Sequence, residues 1–170
     1  TTSFDGVTGM QVLEGTVRPT DPVALAMGGA ALVPEDATNM SFGLTTSMLS
    51  GLNLSFDYYQ IDIAKKIIKS RALAVPEGVV TEYTELAFYS NALDTKTSGF
   101  DLVANYTIGS TNVSLALNHN ETEVTGQYQV GGQDPVSQGT MDNLELNLPK
   151  DRLVSTVTHT FSDALSAMVR

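Results

Sequence analysis

The sequence predicts an all-β protein: an antiparallel, up-and-down sheet that forms part of a large transmembrane β-barrel, with room for a short helix in a long loop. Three observations carry this. Six segments alternate apolar and polar residues with a period of two, the mark of strands with two unlike faces. The connections between them run short, long, short, long, short. The chain is lightly charged, at 16% Asp, Glu, Lys and Arg, and is rich in Thr, Ser, Asn and Gly. A spanning strand has this composition because only every second residue must be apolar.

The elements follow in order. "DPVALAMGGAAL" has the composition of a helix, but Gly28 and Gly29 interrupt it. The first strand places Met40, Phe42 and Leu44 on one face and Ser41, Gly43 and Thr45 on the other. The second places Leu52, Leu54, Phe56 and Tyr58 opposite Asn53, Ser55 and Asp57. Past Tyr58 and Tyr59 the apolar phase flips to Ile61 and Ile63, which suggests a bulge or a new environment. "IAKKIIKSRALAV" reads either as a short helix or as a strand end running into a loop. The third strand alternates Phe100, Leu102, Ala104, Tyr106 and Ile108 with Asp101, Val103, Asn105 and Thr107. The fourth alternates Val113, Leu115 and Leu117 with Ser114, Ala116 and Asn118. The fifth carries Leu153, Val157 and Phe161 against Thr156, Thr158 and Thr160, and the sixth is "ALSAMVR".

Tight polar turns, "MLSG", "GSTN" and "SDA", join strands one to two, three to four and five to six. The stretches Lys69–Ser90 and Gly126–Lys150 make the other two connections. In an up-and-down sheet all the turns then lie at one end and all the long loops at the other. Outer-membrane barrels have this asymmetry, with short periplasmic turns and long extracellular loops. On this reading Tyr58 and Tyr59 are membrane-interface aromatics, and the second strand is long because it crosses a bilayer and continues beyond it.

A net charge of −10 repels nucleic-acid phosphates, so nucleic acid is excluded as a partner. The chain has no Cys, hence no disulfide and no thiolate metal site. No apolar run approaches the roughly 18 residues of a spanning helix, but a spanning strand needs only about 9–11. The start, "TTSFDGVTG", shows no initiator Met and no signal-peptide pattern, so the chain reads as a piece of a longer protein.

Chemistry is sparse. His119 and His159 are the two histidines, each at an apolar-phase strand position, where a packed or interfacial histidine is the simplest reading. There is no Gly-x-Ser-x-Gly elbow. "MGGAAL" and "VGGQD" do not link a strand to a helix as a phosphate loop does, and read as flexible loops. "PEGVVTEYTELAFY", "ETEV" and "MDNLELN" are acidic and fall at the long-loop end, without EF-hand spacing for Ca²⁺. The candidate ligand contacts are Glu82, Tyr83, Tyr89, Asp134 and Asp142. The five Asn-x-Ser/Thr sequons lie mostly in or beside strands, where Asn and Thr are lumen composition, not glycan acceptors. The expectation is a protein with no catalytic residues, cofactor or metal, and not an enzyme.

Four stretches resemble the barrel of TonB-dependent outer-membrane receptors. "LVPEDATNMSFGL" is similar to the opening of a recurring strand of that family, and "GLNLSFDYYQIDIAKKI" to the strand that follows. "NALDTKTSGFDLVANYTI" resembles the third element, and "LPKDRLVSTVTHTFSDALSAMV" the late strand pair after a Pro. The resemblance covers about 32–170, in the family's order, and leaves 1–31 as an extracellular loop or strand end within one partial barrel domain. The plug, the TonB-binding segment and the terminal aromatic residue of such receptors are not found in these residues. The resemblance implies a stretch of a roughly 22-stranded barrel in the bacterial outer membrane. It implies partners in the lipid bilayer, in a scarce solute (an iron-siderophore, cobalamin or a saccharide) and in the TonB complex through other regions. The rival reading is a soluble, secreted β-sandwich that binds carbohydrate or acts in adhesion. By itself such a piece is expected to self-associate through its free edges and apolar face.

Overall fold

The computed structural model describes residues 2–4 and 11–170. The elements are β1 (Thr2–Phe4), β2 (Gln11–Thr16), α1 (Pro22–Ala26), β3 (Asp36–Leu49), β4 (Leu52–Lys69), β5 (Leu73–Ala74), β6 (Glu85–Ala87), β7 (Tyr89–Ile108), β8 (Thr111–Gln127), α2 (Gln138–Leu146), β9 (Asp151–Ser162) and β10 (Leu165–Val169). All six alternating segments are strands of one sheet, in the order β10-β9-β8-β7-β4-β3. Neighbours in the sheet are neighbours in that series, so the sheet is up-and-down as predicted. β4, β7 and β8 have 18, 20 and 17 residues, well beyond the roughly 9–11 that cross a bilayer.

The chain forms two compact units, and these strands contribute to both. One unit comprises 38–61, 96–123 and 145–170. It contains the three tight turns, and Gly51 and Gly109 adopt φ of 78° and 55° there, which a side chain would oppose. Strand pairing holds it together. β8 and β9 run antiparallel with Val113 opposite Val157, Ser114 opposite Thr156 and Leu117 opposite Leu153. β10 continues from β9, with a register shift after Leu165.

The other unit comprises 1–37, 62–95 and 124–144, and so holds the first long connection and most of the second. A second sheet, β1-β2-β6-β5, forms here, with β2 parallel to β6. Its core is Ala24, Met27, Leu73, Leu86, Phe88 and Val130. A smaller cluster of Ala92, Leu93 and Val136 takes Met141 and Leu144 from α2. α1 is capped by Asp21, whose Oδ1 accepts from Val23 N at 3.0 Å, and Pro22 opens its first turn.

"IAKKIIKSRALAV" takes the second of its two readings: it is strand through Lys69, then the short β5. The helix in a long loop is α2, in a stretch too polar to announce itself. The two glycine pairs are ordered, not merely flexible, and they meet. Gly28 has φ 90° and Gly131 has φ 56°, and a Cβ on Gly28 would lie 2.6 Å from Gly131 N. Only glycine lets these two backbones touch, and the contact ties α1 to the tip of the 128–137 loop. Residues 1 and 5–10 of the first stretch lie outside the described residues.

Candidate functional site

The six-stranded sheet presents two chemically distinct faces. On one, Val113, Leu115, Leu117 and His119 of β8 oppose Val157, Ser155, Leu153 and Asp151 of β9. This face is uncovered: Phe42, Leu44, Leu153 and Phe161 are each about 60% exposed. Aromatic groups mark its ends. Phe56, Phe100 and His119 stack in series, with ring centroids 6.0 Å and 5.4 Å apart. His119 Nδ1 lies 2.7 Å from Asp151 Oδ1. Toward the tight turns, His159 Nδ1 is bonded to Thr111 Oγ1 at 2.8 Å and its ring meets Phe161 edge-on at 4.5 Å. Both histidines are thus satisfied by neighbours on the apolar face.

The opposite face is a hydrogen-bonded polar surface. Thr45 donates to Ser55, and Ser55 to Asp57. Asn118 Nδ2 donates to Asp101 Oδ1 at 2.8 Å, and Thr97 pairs with Thr122. Tyr59 belongs to this face. A Cβ on Gly99 would lie 2.6 Å from its Oη, so its ring occupies the space a side chain at Gly99 would take. Tyr58 therefore shares the phase of Phe56, whereas Tyr59, expected beside it at the membrane interface, packs on the polar face.

Beyond the apolar band the charges pair. Lys150 Nζ donates to Glu121, and this bond, more than the charge itself, holds the Glu121 carboxyl below its ordinary value and the Lys150 ammonium above its own. In the loop unit Tyr128 Oη donates to Asp94, which raises the phenol above its ordinary value, because ionisation would set two anionic oxygens together.

The same unit joins its segments with side chains where main-chain pairing stops. Lys65 has φ 57°; its N–H donates to Asp94 Oδ1 at 2.8 Å and its carbonyl accepts from Asn91 Nδ2 at 2.6 Å. Asn91 also bonds both Val33 N and Val33 O at 2.9 Å, as a strand would. Gln133 does the same for Ala74, and so covers the edge of β5. Between these ties lies a cleft of about 290 Å³, lined by Gly28 to Ala31, Val33, Ser90, Asn91 and Tyr128 to Val130.

The five candidate ligand contacts all fall in this unit. Glu82, Asp134 and Asp142 are exposed, and Tyr89 is half exposed. Tyr83 is engaged in packing: it lies against the core and over Gly15. Asp134 accepts from Gln129 and Asp142 from Gln138, so their bonds tie them to their own neighbourhoods and not to one another. The cleft residues were not singled out from the sequence; the two glycine pairs were the signal that could have found them. Among the described residues no cluster of three or more His, Asp or Glu could hold a metal.

The family described as TonB dependent receptor-like, beta-barrel matches residues 3–167. The chain belongs to this family. TonB-dependent receptors are outer-membrane proteins of receptor and transport function, and transporters rather than enzymes. The matched span takes in most of the first thirty residues, which the four motifs left outside. A comparison with curated proteins finds no match. No helix among the described residues is long and apolar enough to cross a membrane, which says nothing of strands.

Proposed function

We propose that residues 1–170 form a partial barrel domain in the outer membrane, supplying wall, lumen lining and part of the solute-facing surface of a TonB-dependent receptor. The parent receptor would take up a scarce solute, an iron-siderophore, cobalamin or a saccharide, driven by the TonB complex acting through regions other than these. The observation that carries this is the sorting of connections: the three tight turns fall in one unit, and the first long connection with most of the second, through residue 144, in the other. The apolar face then contacts lipid and the polar face lines the lumen, with Tyr58 at the interface. The first 31 residues and both long connections would be extracellular. Glu82, Tyr89, Asp134 and Asp142 are the proposed solute contacts, with Tyr83 holding the loop that carries Glu82.

Residues 1–170 contain no Cys, so a single-cysteine variant places one new thiol at a chosen position of this span, and labelling is read against the unsubstituted receptor. Cysteines at Asp142 and Glu82 should react with an impermeant maleimide, and those at Ser110 and Asp163 should not. Labelling of the turns from outside would invert the topology. Shortening the 128–150 connection should weaken solute binding, while lengthening the turn at Ser110 should not.

A further inference from the structure

We infer that the cleft between α1 and the 128–137 loop is a binding site for an uncharged, hydroxylated molecule of about one sugar ring. The inference rests on the reading of the loop unit as solute-facing, and names the ligand class for one place in it. Four observations meet there. The volume, about 290 Å³, is at the lower end of ligand pockets, which run roughly 300–1,000 Å³. No charged side chain lines it. Ser90, Asn91 and Gln129 make part of the lining polar. Tyr128 presents a half-exposed ring, and its bond to Asp94 fixes that ring in place.

The walls are set before a ligand arrives. Gly28 and Gly131 are in backbone contact, and a Cβ on Gly29 would lie 2.7 Å from Ala24 O. Asn91 fixes Val33 through both its peptide groups. A pyranose laid on Tyr128 would stack its C–H face on the ring. A preorganised site of this kind loses little entropy on binding.

The test is saturation-transfer difference NMR on the parent receptor in detergent micelles, with glucose as the uncharged probe and citrate as the anionic one. Glucose should show transfer and citrate none. Ala31→Trp fills the cleft without removing any hydrogen bond, and should abolish the glucose signal while circular dichroism and the unfolding midpoint stay unchanged. Tyr128→Ala should weaken glucose binding about tenfold, as loss of an aromatic platform predicts. Absence of glucose transfer to the folded receptor overturns the inference. So does transfer that survives Ala31→Trp, or citrate binding in place of glucose. Each of those results leaves the membrane topology untouched, because whole-cell labelling decides that separately.

Discussion

Single residues hold this sheet in one arrangement, and two of them can be tested directly. Gly99 gives its side-chain space to Tyr59, and a Cβ there also meets the carbonyl of His119. Gly99→Val should destabilise the chain in micelles by about 1–3 kcal/mol, the usual cost of overpacking. Because one of the two obstacles is backbone, Tyr59→Ser should restore only part of the loss. Urea unfolding of the two single variants and the double variant measures this, and full rescue would show that the ring is the only obstacle. Tyr128 offers a pH readout. Its phenol is raised by the bond to Asp94, so its contribution to stability is complete below the ordinary tyrosine value and is lost as pH rises through the folded one. Absorbance titration should show the Tyr128 phenol ionising late, and Asp94→Asn should bring it back toward the ordinary tyrosine value. For Glu121, whose carboxyl is lowered by Lys150, the sign is opposite: its contribution is lost as pH falls through the folded value.

At the scale of elements, the loop from Tyr128 to Val136 depends on the Gly28–Gly131 contact. Gly131→Val meets both a positive φ and the carbonyl of Met27, so it should release this loop while leaving the paired strands in place. Limited proteolysis should then cut between Tyr128 and Gln138 several times faster than in the parent, with no change in strand content. This difference between strands and loops also explains what was legible in the sequence. β3, β4, β7, β8, β9 and β10 could be read because each buries or exposes one face with a period of two, a local signal that Leu115 and Ser114 carry side by side. β5 and β6 have two and three residues, too few for any period. α2 offers only Met141 and Leu144 to a core, so its pattern is nearly all polar. The cleft joins residue 28 to residue 131 and residue 33 to residue 91, and such contacts are set by the fold and not by neighbouring letters. Tyr58 and Tyr59 look alike in the sequence, although strand alternation must send them to opposite faces.

For the whole molecule, the six-stranded sheet has β3 and β10 at its edges and an apolar face open to its surroundings. Unpaired strand edges recruit other strands, and uncovered apolar area drives association. Taken into water without detergent, the 170-residue chain should self-associate. Light scattering coupled to gel filtration should give a mass well above 18.1 kDa, and a monodisperse monomer would mean that it closes its own sheet. The central claim is that this sheet crosses a bilayer with alternate residues in contact with lipid. The most direct measurement is quenching of a fluorophore by brominated lipid along β8, placed on single cysteines at 112 to 117 in the reconstituted parent receptor. Quenching should be strong at Val113, Leu115 and Leu117 and weak at Asn112, Ser114 and Ala116. Equal quenching at adjacent positions, or none at any of the six, would contradict a membrane-spanning sheet.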